Sequence, residues 1–249
     1  MNKRFDVRKL AIIGILGGIS TILGLTPLGF IPIGPTRATI MHIPVIIGAI
    51  MEGPLVGAFV GLIFGLFSIF QAVTNPTPVS FVFLNPLVSV LPRVLIGLFS
   101  FYSYDFLRRI GDKKTRGLLY LIWIGIITYL IYGIYQNIIN KGSIWYIIIN
   151  IGLMVLTIAL FYFTMIKYKK GSFDLIISSV VGTLTNTLGV LTMIYILFGE
   201  RFVEALGQDP SLAKKIIYGI GITNGIPEAI IAIIIVTAVV RGLKGTKRD

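Results

Sequence analysis

Long apolar runs, separated by short polar or Pro- and Gly-containing stretches, fill almost the whole chain. A helix that crosses a bilayer needs about 20 apolar residues, and somewhat fewer where neighbouring helices bury it. The pattern therefore predicts eight helical segments, covering residues 9–25, 40–51, 54–73, 86–107, 117–139, 144–166, 173–198 and 210–241. The second segment is short for a span, and Glu52-Gly53-Pro54 separates it from the third. This break favours a tight helical hairpin, with one long kinked element as the alternative.

Composition supports the membrane interpretation. The 249 residues are 55% hydrophobic and only 13% charged, with a mean hydropathy of +0.92. Soluble domains carry about 25% charged residues, so a soluble fold and a disordered chain are both excluded. The predicted fold class is an all-α integral membrane protein, a single membrane domain over residues 1–249.

The distribution of positive charge predicts the orientation. With the N-terminus in the cytoplasm and alternating spans, sixteen Lys and Arg fall at inner ends and five at outer ends. This bias places both termini in the cytoplasm. The first apolar run could instead be a signal peptide, but it lacks a clear small-residue cleavage site, so a retained helix is favoured. The net charge of +12 comes from clusters beside spans, without interleaved aromatic residues, so lipid rather than nucleic acid is the expected partner.

Several kinds of chemistry are not expected from this sequence. The chain has no Cys and one His, so we expect no cofactor and no metal site. It has no phosphate-binding Gly-Lys-Ser/Thr loop and no nucleophile–base set, so we expect neither ATP hydrolysis nor another enzymatic activity.

Four polar side chains lie deep inside predicted spans: Arg93, Asn186, Asn224 and Glu228. Such residues usually face the bundle interior, so we expect them to converge on one cavity. Each Asn could contact a ligand or could join helices through hydrogen bonds. The Arg93 guanidinium cannot lose its charge, so it needs an anionic partner, either a ligand carboxylate or phosphate or the Glu228 side chain.

Weaker candidates for polar contacts with the ligand lie near the predicted outer ends of the spans. They are His42, Gln71 and Asn85. His42 is expected to be a hydrogen-bonding wall residue rather than a proton relay or a metal ligand.

Two glycine ridges allow close helix packing. Gly14 and Gly18, with Ala11 nearby, form a small-residue face on the first segment, which could dock a partner helix. On the third segment Gly57, Gly61 and Gly65 share the same spacing, and we expect them to pack within the chain.

Four blocks of sequence resemble one family. MHIPVIIGAIMEGPLVGAFVGLIFGLFS (41–68), NPTPVSFVFLNPLVSVLPRVLIG (75–97), GTLTNTLGVLTMIY (182–195) and TNGIPEAI (223–230) are similar to the substrate-binding S components of energy-coupling factor (ECF) vitamin transporters. The similarity is closest to the pantothenate-type branch. It implies capture of a vitamin, expected to be pantothenate, in the outer half of the bilayer, and import driven by a transmembrane T component and two ATPase subunits.

The resemblance also implies a place in the prokaryotic cell membrane and docking to the T component through small residues of the first helix, matched here by Gly14 and Gly18. Family members usually have six spans rather than eight. The predicted core is therefore 9–108 and 173–241, with an inserted helical hairpin at 117–166. The alternatives are an S component for another small vitamin or precursor and a self-sufficient secondary carrier, although the chain shows no convincing internal repeat.

Overall fold

The computed structural model describes residues 6–33, 36–139, 144–167 and 173–245. Within these ranges the regular structure is helical apart from one short β-hairpin, so the predicted helical membrane class is confirmed. The helices are α1 (Val7–Leu25), α2 (Ile43–Glu52), α3 (Pro54–Thr74), α4 (Pro86–Ser89), α5 (Leu91–Ile110), α6 (Asp112–Ile139), α7 (Ile144–Lys167), α8 (Phe173–Ala205) and α9 (Ala213–Gly245).

The β-hairpin occupies the segment between α1 and α2, where no strand was predicted. Strands β1 (Phe30–Ile33) and β2 (Thr36–Thr39) pair antiparallel, with Phe30 opposite Thr39. A hydrogen bond of 3.1 Å from the Ile40 N–H to the Gly29 carbonyl closes the base of the hairpin. The Pro and Gly content of 26–39 indicated a loop, yet its β-branched residues suit an extended backbone, and pairing satisfies the backbone groups.

Helices α2 and α3 form the predicted tight hairpin rather than one kinked element. Gly53 separates them with φ +103°, a conformation that strains any residue with a side chain, and Pro54 opens α3 in its first turn. Small residues allow α2 and α3 to pack closely on either side of this turn. A Cβ added at Gly57 would lie only 2.5 Å from the Ala49 Cβ, so a larger residue would not fit.

The glycine ridge of α3 packs on the backbone of α5. A Cβ at Gly57 would lie 2.9 Å from the Gly97 Cα, and one at Gly61 would overlap the Arg93 carbonyl oxygen. At Gly65 the added atom would lie 2.7 Å from the Val90 Cα. The contacts run antiparallel at four-residue intervals, so every glycine of the ridge is needed for this close approach. The expectation that this ridge packs within the chain is confirmed.

Two element boundaries differ from the prediction. The fourth apolar segment is divided at Val90 into α4 and α5. Helix α8 continues to Ala205, seven residues beyond the predicted end, so most of the stretch 199–209 between the last two predicted segments is helical. Asp209 caps the next turn, because its Oδ1 accepts from the Ser211 N–H at 2.9 Å, and hydrogen bonding from Ser211 lowers the pKa of the Asp209 carboxyl.

Six helical stretches of the described chain are long and apolar enough to cross a membrane. They are Val7–Leu25, Pro54–Thr74, Pro86–Ile110, Lys113–Gln136, Phe173–Ala205 and Pro210–Lys244. The chain is therefore a multi-pass membrane protein. Helix α2 has ten residues, or about 15 Å, too few for a span on its own. The eight-span count and the cytoplasmic location of both termini stay predictions.

The described chain divides into two compact units. The first comprises the described residues of Met1–Asp105 and Leu175–Asp249, and the second comprises Phe106–Asp174. In the first, the core is formed by apolar side chains of α1, α2, α3, α5, α8 and α9. In the second, α6 and α7 pack together, with the Phe161 ring 5.9 Å from Tyr120 and 6.3 Å from Trp123. The predicted limits of core and inserted hairpin remain a prediction.

Candidate functional site

A cavity of about 620 Å³ lies in the first unit, between α3, α5, α8, α9, strand β2 and the 3₁₀ turn Ser80–Leu84. Its wall combines apolar side chains with a set of polar ones. The polar lining residues are Thr39, Ser68, Gln71, Asn75, Thr77, Ser80, Arg93, Asn186, Thr187, Asn224 and Glu228. A concave, mostly apolar site with a few converging polar groups is typical of small-molecule binding.

Arg93 reaches this cavity from the start of α5. Pro92 has no N–H to donate to the Val88 carbonyl, which leaves that carbonyl without its helical partner, and α5 begins only at Leu91. The Arg93 Nη1 donates to this same carbonyl. The proline thus breaks the predicted helix and creates the acceptor that orients the guanidinium.

The Arg93 guanidinium is buried between aromatic rings and keeps an unused donor. Its carbon lies 5.4 Å from the centroid of Phe64 and 5.9 Å from that of Phe83, within the range of cation–π attraction. The side chain is only 6% exposed, and its Nε has no hydrogen-bond partner among the described residues. A buried charged donor of this kind is costly unless a ligand completes its contacts.

Asn186 contributes a second unpartnered atom to the same wall. It lies on α8, is 4% exposed, and its side-chain oxygen has no hydrogen-bond partner in the part of the chain that the structure describes. The cavity therefore contains a buried cationic donor and a buried amide acceptor that the protein itself leaves unsatisfied. Together they match a ligand that carries an anionic group and a hydrogen-bond donor.

Glu228, on α9, has protein partners for both carboxylate oxygens. Oε1 accepts from the Thr39 N–H at 2.7 Å, and Oε2 accepts from the Thr187 hydroxyl at 2.8 Å. Its charge acts on the Arg93 guanidinium, but no ion pair within 4.0 Å joins these two described residues. The geometry therefore does not show the direct internal pair that was the alternative to a ligand carboxylate.

The other predicted polar residues divide into two groups. Gln71, whose Nε2 donates to the Gly24 carbonyl at 3.0 Å, and Asn224 both line the cavity. His42 and Asn85 do not. His42 is fully buried and its Nε2 lies 3.0 Å from the Thr183 hydroxyl, whereas Asn85 caps α4 by accepting from the Leu87 N–H at 2.9 Å.

Sequence reasoning missed part of the wall. It did not select Thr39, Thr187, Phe64 or Phe83. Thr187 directly follows Asn186, so a helix that points Asn186 inward could have indicated it. No comparable signal identifies Thr39, because its part in the wall depends on the unpredicted hairpin.

A separate groove of about 840 Å³ lies at the junction of α8 and α9. It is lined by residues 195–201 and by Pro210, Ser211, Ala213 and Lys214. Its Arg201 guanidinium lies 4.5 Å from the Phe81 ring centroid, but Arg201 is exposed rather than buried. The groove contains no buried polar atom without a partner among the described residues. The smaller cavity is therefore the better candidate for a specific binding site.

The predicted docking face lies on the uncovered side of α1. No atom lies within 4 Å of a Cβ added at Gly14 or Gly18, and Ala11 is exposed. Gly17, on the opposite side, faces the protein, since its Cβ would lie 2.6 Å from the Ile63 side chain. The face formed by Ala11, Gly14 and Gly18, here termed the α1 ridge, is open in the described structure.

The polar side chains that line the cavity are mostly amides and hydroxyls. Among the described residues, no group of three or more His, Asp or Glu side chains could hold a metal ion. The cavity instead combines one guanidinium, one carboxylate and several amides and hydroxyls.

Comparison with known proteins determines the family. The profile described as "ECF transporter, substrate-specific component" matches residues 8–135 and 116–240. The chain belongs to this family. An ECF substrate-specific component binds the transported molecule and is not an enzyme, in agreement with the sequence-based expectation.

Two relatives of this ECF component are described as transporters. The pantothenic acid transporter PanT of Lactococcus lactis subsp. cremoris (strain MG1363) is 28% identical over 251 residues, covering 99% of each chain. The pantothenate transporter PanT of Leuconostoc mesenteroides subsp. mesenteroides is 40% identical over 77 residues, which cover 30% of this chain and 37% of that protein.

Proposed function

We propose that this chain captures pantothenate as the substrate-binding subunit of an ATP-driven ECF importer in a prokaryotic plasma membrane. The observation that carries the proposal is the buried Arg93 guanidinium, which lines a cavity of about 620 Å³ and has an Nε without a partner. A carboxylate is the natural ligand for such a group, because guanidinium and carboxylate match in charge and in planar geometry.

Pantothenate fits the remaining polar groups of the cavity. It has a carboxylate at one end, an amide in the middle and two hydroxyls at the other end. The carboxylate would bind Arg93, while the amide and hydroxyls would bond to Asn186 and Asn224. The names of the two relatives favour this vitamin over another small acid, since one aligns over nearly the whole chain.

Transport would require other subunits. This sequence has no phosphate-binding loop, and ECF membership supports coupling to a T component and two ATPase subunits. The α1 ridge is our proposed docking face for the T component, because small residues allow the backbones of two membrane helices to approach closely.

Binding to the purified protein tests the substrate. We expect tritiated pantothenate to bind without an ion gradient and more tightly than other vitamins. Arg93→Ala should weaken binding by about 2–5 kcal/mol, roughly 30- to 5000-fold in Kd, because it removes one member of a desolvated charged contact. Arg93→Lys should restore part of the affinity, since it keeps the charge but loses the planar fork.

Arg201→Ala is the matched control for this experiment. Arg201 also lies over an aromatic ring, but it is exposed and lines the other groove. We expect the affinity of the Arg201→Ala protein for pantothenate to stay within about twofold of the wild-type value. A well-folded Arg93→Ala protein with unchanged affinity would contradict the carboxylate contact. If a different vitamin binds more tightly, that vitamin rather than pantothenate is the substrate. If binding requires a coupling ion, the protein is better described as a secondary carrier.

Cysteine labelling tests the proposed orientation of the spans. The chain has no native Cys, so Lys114→Cys and Lys215→Cys each introduce one reactive thiol at an exposed position. A membrane-impermeant maleimide added to intact cells should label position 215 and not position 114. The reverse pattern would mean that the termini face outward, contrary to the positive-inside bias.

A further inference from the structure

The most distinctive buried contact in the cavity wall involves Glu228. Its carboxylate connects strand β2 with helix α8, through the Thr39 N–H at 2.7 Å and the Thr187 hydroxyl at 2.8 Å. The first bond joins residues 189 positions apart in the chain. Thr39, Thr187 and Glu228 all line the cavity. One side chain thus connects three elements of the wall.

The carboxylate is poorly placed to be a primary ligand contact. Glu228 is 3% exposed, and each of its oxygens already accepts a hydrogen bond from the protein. Arg93 and Asn186, on the same cavity, each have an atom without a partner. Arg93 and Asn186 thus have atoms available to a ligand, whereas the acceptors of Glu228 are used within the wall of the cavity.

Thr39 forms the end of β2 that lies nearest the cavity. Thr39 is the last residue of β2, and its own hydroxyl accepts from the Met41 N–H at 3.2 Å. The Thr39 N–H is partly buried and would lose its side-chain acceptor if Glu228 were removed, which costs stability. Displacement of this end of β2 would open the part of the wall that Thr39 forms.

We propose that Glu228 is a positioning residue that latches the β1–β2 hairpin to α8 and thereby keeps this side of the cavity closed. The inference rests on the proposed function for its consequence, which is slow release of the bound vitamin. The latch itself concerns only the chain and can be measured without a ligand.

A cysteine in the cavity wall reports opening directly. Ser68 lines the cavity, and because the chain has no native Cys, Ser68→Cys places a single thiol there. In this background, Glu228→Ala and Thr187→Val each remove part of the latch. Without vitamin, we expect maleimide to label position 68 roughly 5- to 100-fold faster in both variants, the effect of losing a partner of a buried charged group.

Two further variants separate the latch from other effects. Thr185→Val is the matched control, because Thr185 lies on the same helix but donates only to the Val181 carbonyl, at 2.7 Å. We expect it to label like the parent. In Glu228→Gln the amide can still accept from the Thr39 N–H and donate to the Thr187 hydroxyl, so labelling should stay within about threefold of the parent.

Dissociation of tritiated pantothenate should follow the same order as labelling. The latch is wrong if Thr187→Val labels no faster than Thr185→Val. It is also wrong if Glu228→Gln speeds dissociation while labelling at position 68 is unchanged, because Glu228 would then contact the vitamin. If Glu228→Ala does not fold, the labelling rates of Thr187→Val and Thr185→Val at position 68 decide whether the latch exists. If the parent binds no pantothenate, the vitamin assignment fails, while the labelling rates still test the latch.

Discussion

Helices α1 and α3 each carry glycines at four-residue spacing, yet the two ridges have opposite surroundings. Gly57, Gly61 and Gly65 of α3 each face the backbone of α5 so closely that a Cβ would lie less than 3 Å from a neighbouring atom. Gly14 and Gly18 of the α1 ridge have no atom within 4 Å of that position. The α3 ridge packs within the fold, whereas the α1 ridge is uncovered in the described part of the chain.

The α3 ridge also positions the candidate site. Gly61 lies against the carbonyl of Arg93, the residue whose guanidinium projects into the cavity. Close packing of two backbones therefore determines where the buried charge lies. The α1 ridge contributes no such contact within the described chain, and an uncovered small-residue face on a membrane helix is suited to packing against a partner helix.

The largest expected effect comes from adding one methyl group to the α3 ridge. In Gly61→Ala the new Cβ would overlap the Arg93 carbonyl oxygen, and backbone cannot rotate away as a side chain can. We expect a loss of stability of about 3 kcal/mol or more, at or above the usual range for overpacking, together with weaker vitamin binding. Thermal unfolding in detergent measures the stability, and titration calorimetry measures the affinity for the vitamin. Unchanged values for both would mean that α3 and α5 are not in close contact.

Bulk on the α1 ridge should affect transport instead of folding. We expect Gly14→Leu combined with Gly18→Leu to reduce uptake by at least about tenfold when the T component and ATPases are co-expressed, because the helices could no longer approach. Vitamin affinity of the purified variant should stay within about twofold of wild type, since no atom of the described residues lies within 4 Å of a Cβ added at either glycine.

The control for this variant uses open glycines elsewhere in the chain. Gly125 and Gly152 also have no atom within 4 Å of an added Cβ, but they lie on α6 and α7. Gly125→Leu combined with Gly152→Leu should leave uptake unchanged if docking uses the α1 ridge. Normal uptake by the Gly14 and Gly18 double variant would show that the T component docks on another surface.

An intermediate effect is expected on the inner side of α1. Gly24 faces the Phe67 and Met41 side chains, and an added Cβ would come close to both. Both neighbours are ends of side chains, which can shift where backbone cannot, so we expect Gly24→Ala to cost only about 1–2 kcal/mol in thermal unfolding. A cost equal to that of Gly61→Ala would show that contacts with side chains are as rigid here as contacts with backbone.

The smallest effect is expected for a single methyl group on the uncovered side. Gly14→Ala meets no atom within 4 Å, and alanine restricts the unfolded chain more than glycine does. Its stability should match wild type or exceed it by up to about 1 kcal/mol, measured by thermal unfolding. A clear loss would mean that Gly14 is covered by another part of the chain or by a second copy.

The helical framework was predictable because lipid requires long, uninterrupted apolar helices. The break at Glu52-Gly53-Pro54 was also predictable, since glycine with positive φ and proline in the first turn of a helix leave few alternatives. The β1–β2 hairpin was not predictable, because its two short strands lie within a segment that has the composition of a loop. The break at Val90 was missed although Pro92 was visible, because the split depends on how the freed Val88 carbonyl is satisfied.

The candidate site was predicted as a set of residues but not as an arrangement. Arg93, Asn186, Asn224 and Glu228 were selected by their depth in apolar segments, and all four line one cavity. Depth gives the level of a residue in the membrane but not the direction in which its side chain points. His42 and Asn85 were selected because they lie near the predicted outer ends of spans, and neither lines the cavity. The His42 Nε2 is 3.0 Å from the Thr183 hydroxyl, and Asn85 caps the first turn of α4.

By itself, the sequence determined the membrane class, the helical segments and the presence of a few costly buried polar groups, because each follows from local composition and length. Only the tertiary structure decided which glycine ridge is covered and which is open. It alone also decided that Glu228 bonds to Thr39 and Thr187 while Arg93 keeps an unused donor. These features depend on the rotation of each helix about its own axis and on contacts between residues far apart in the chain, and no local pattern encodes either.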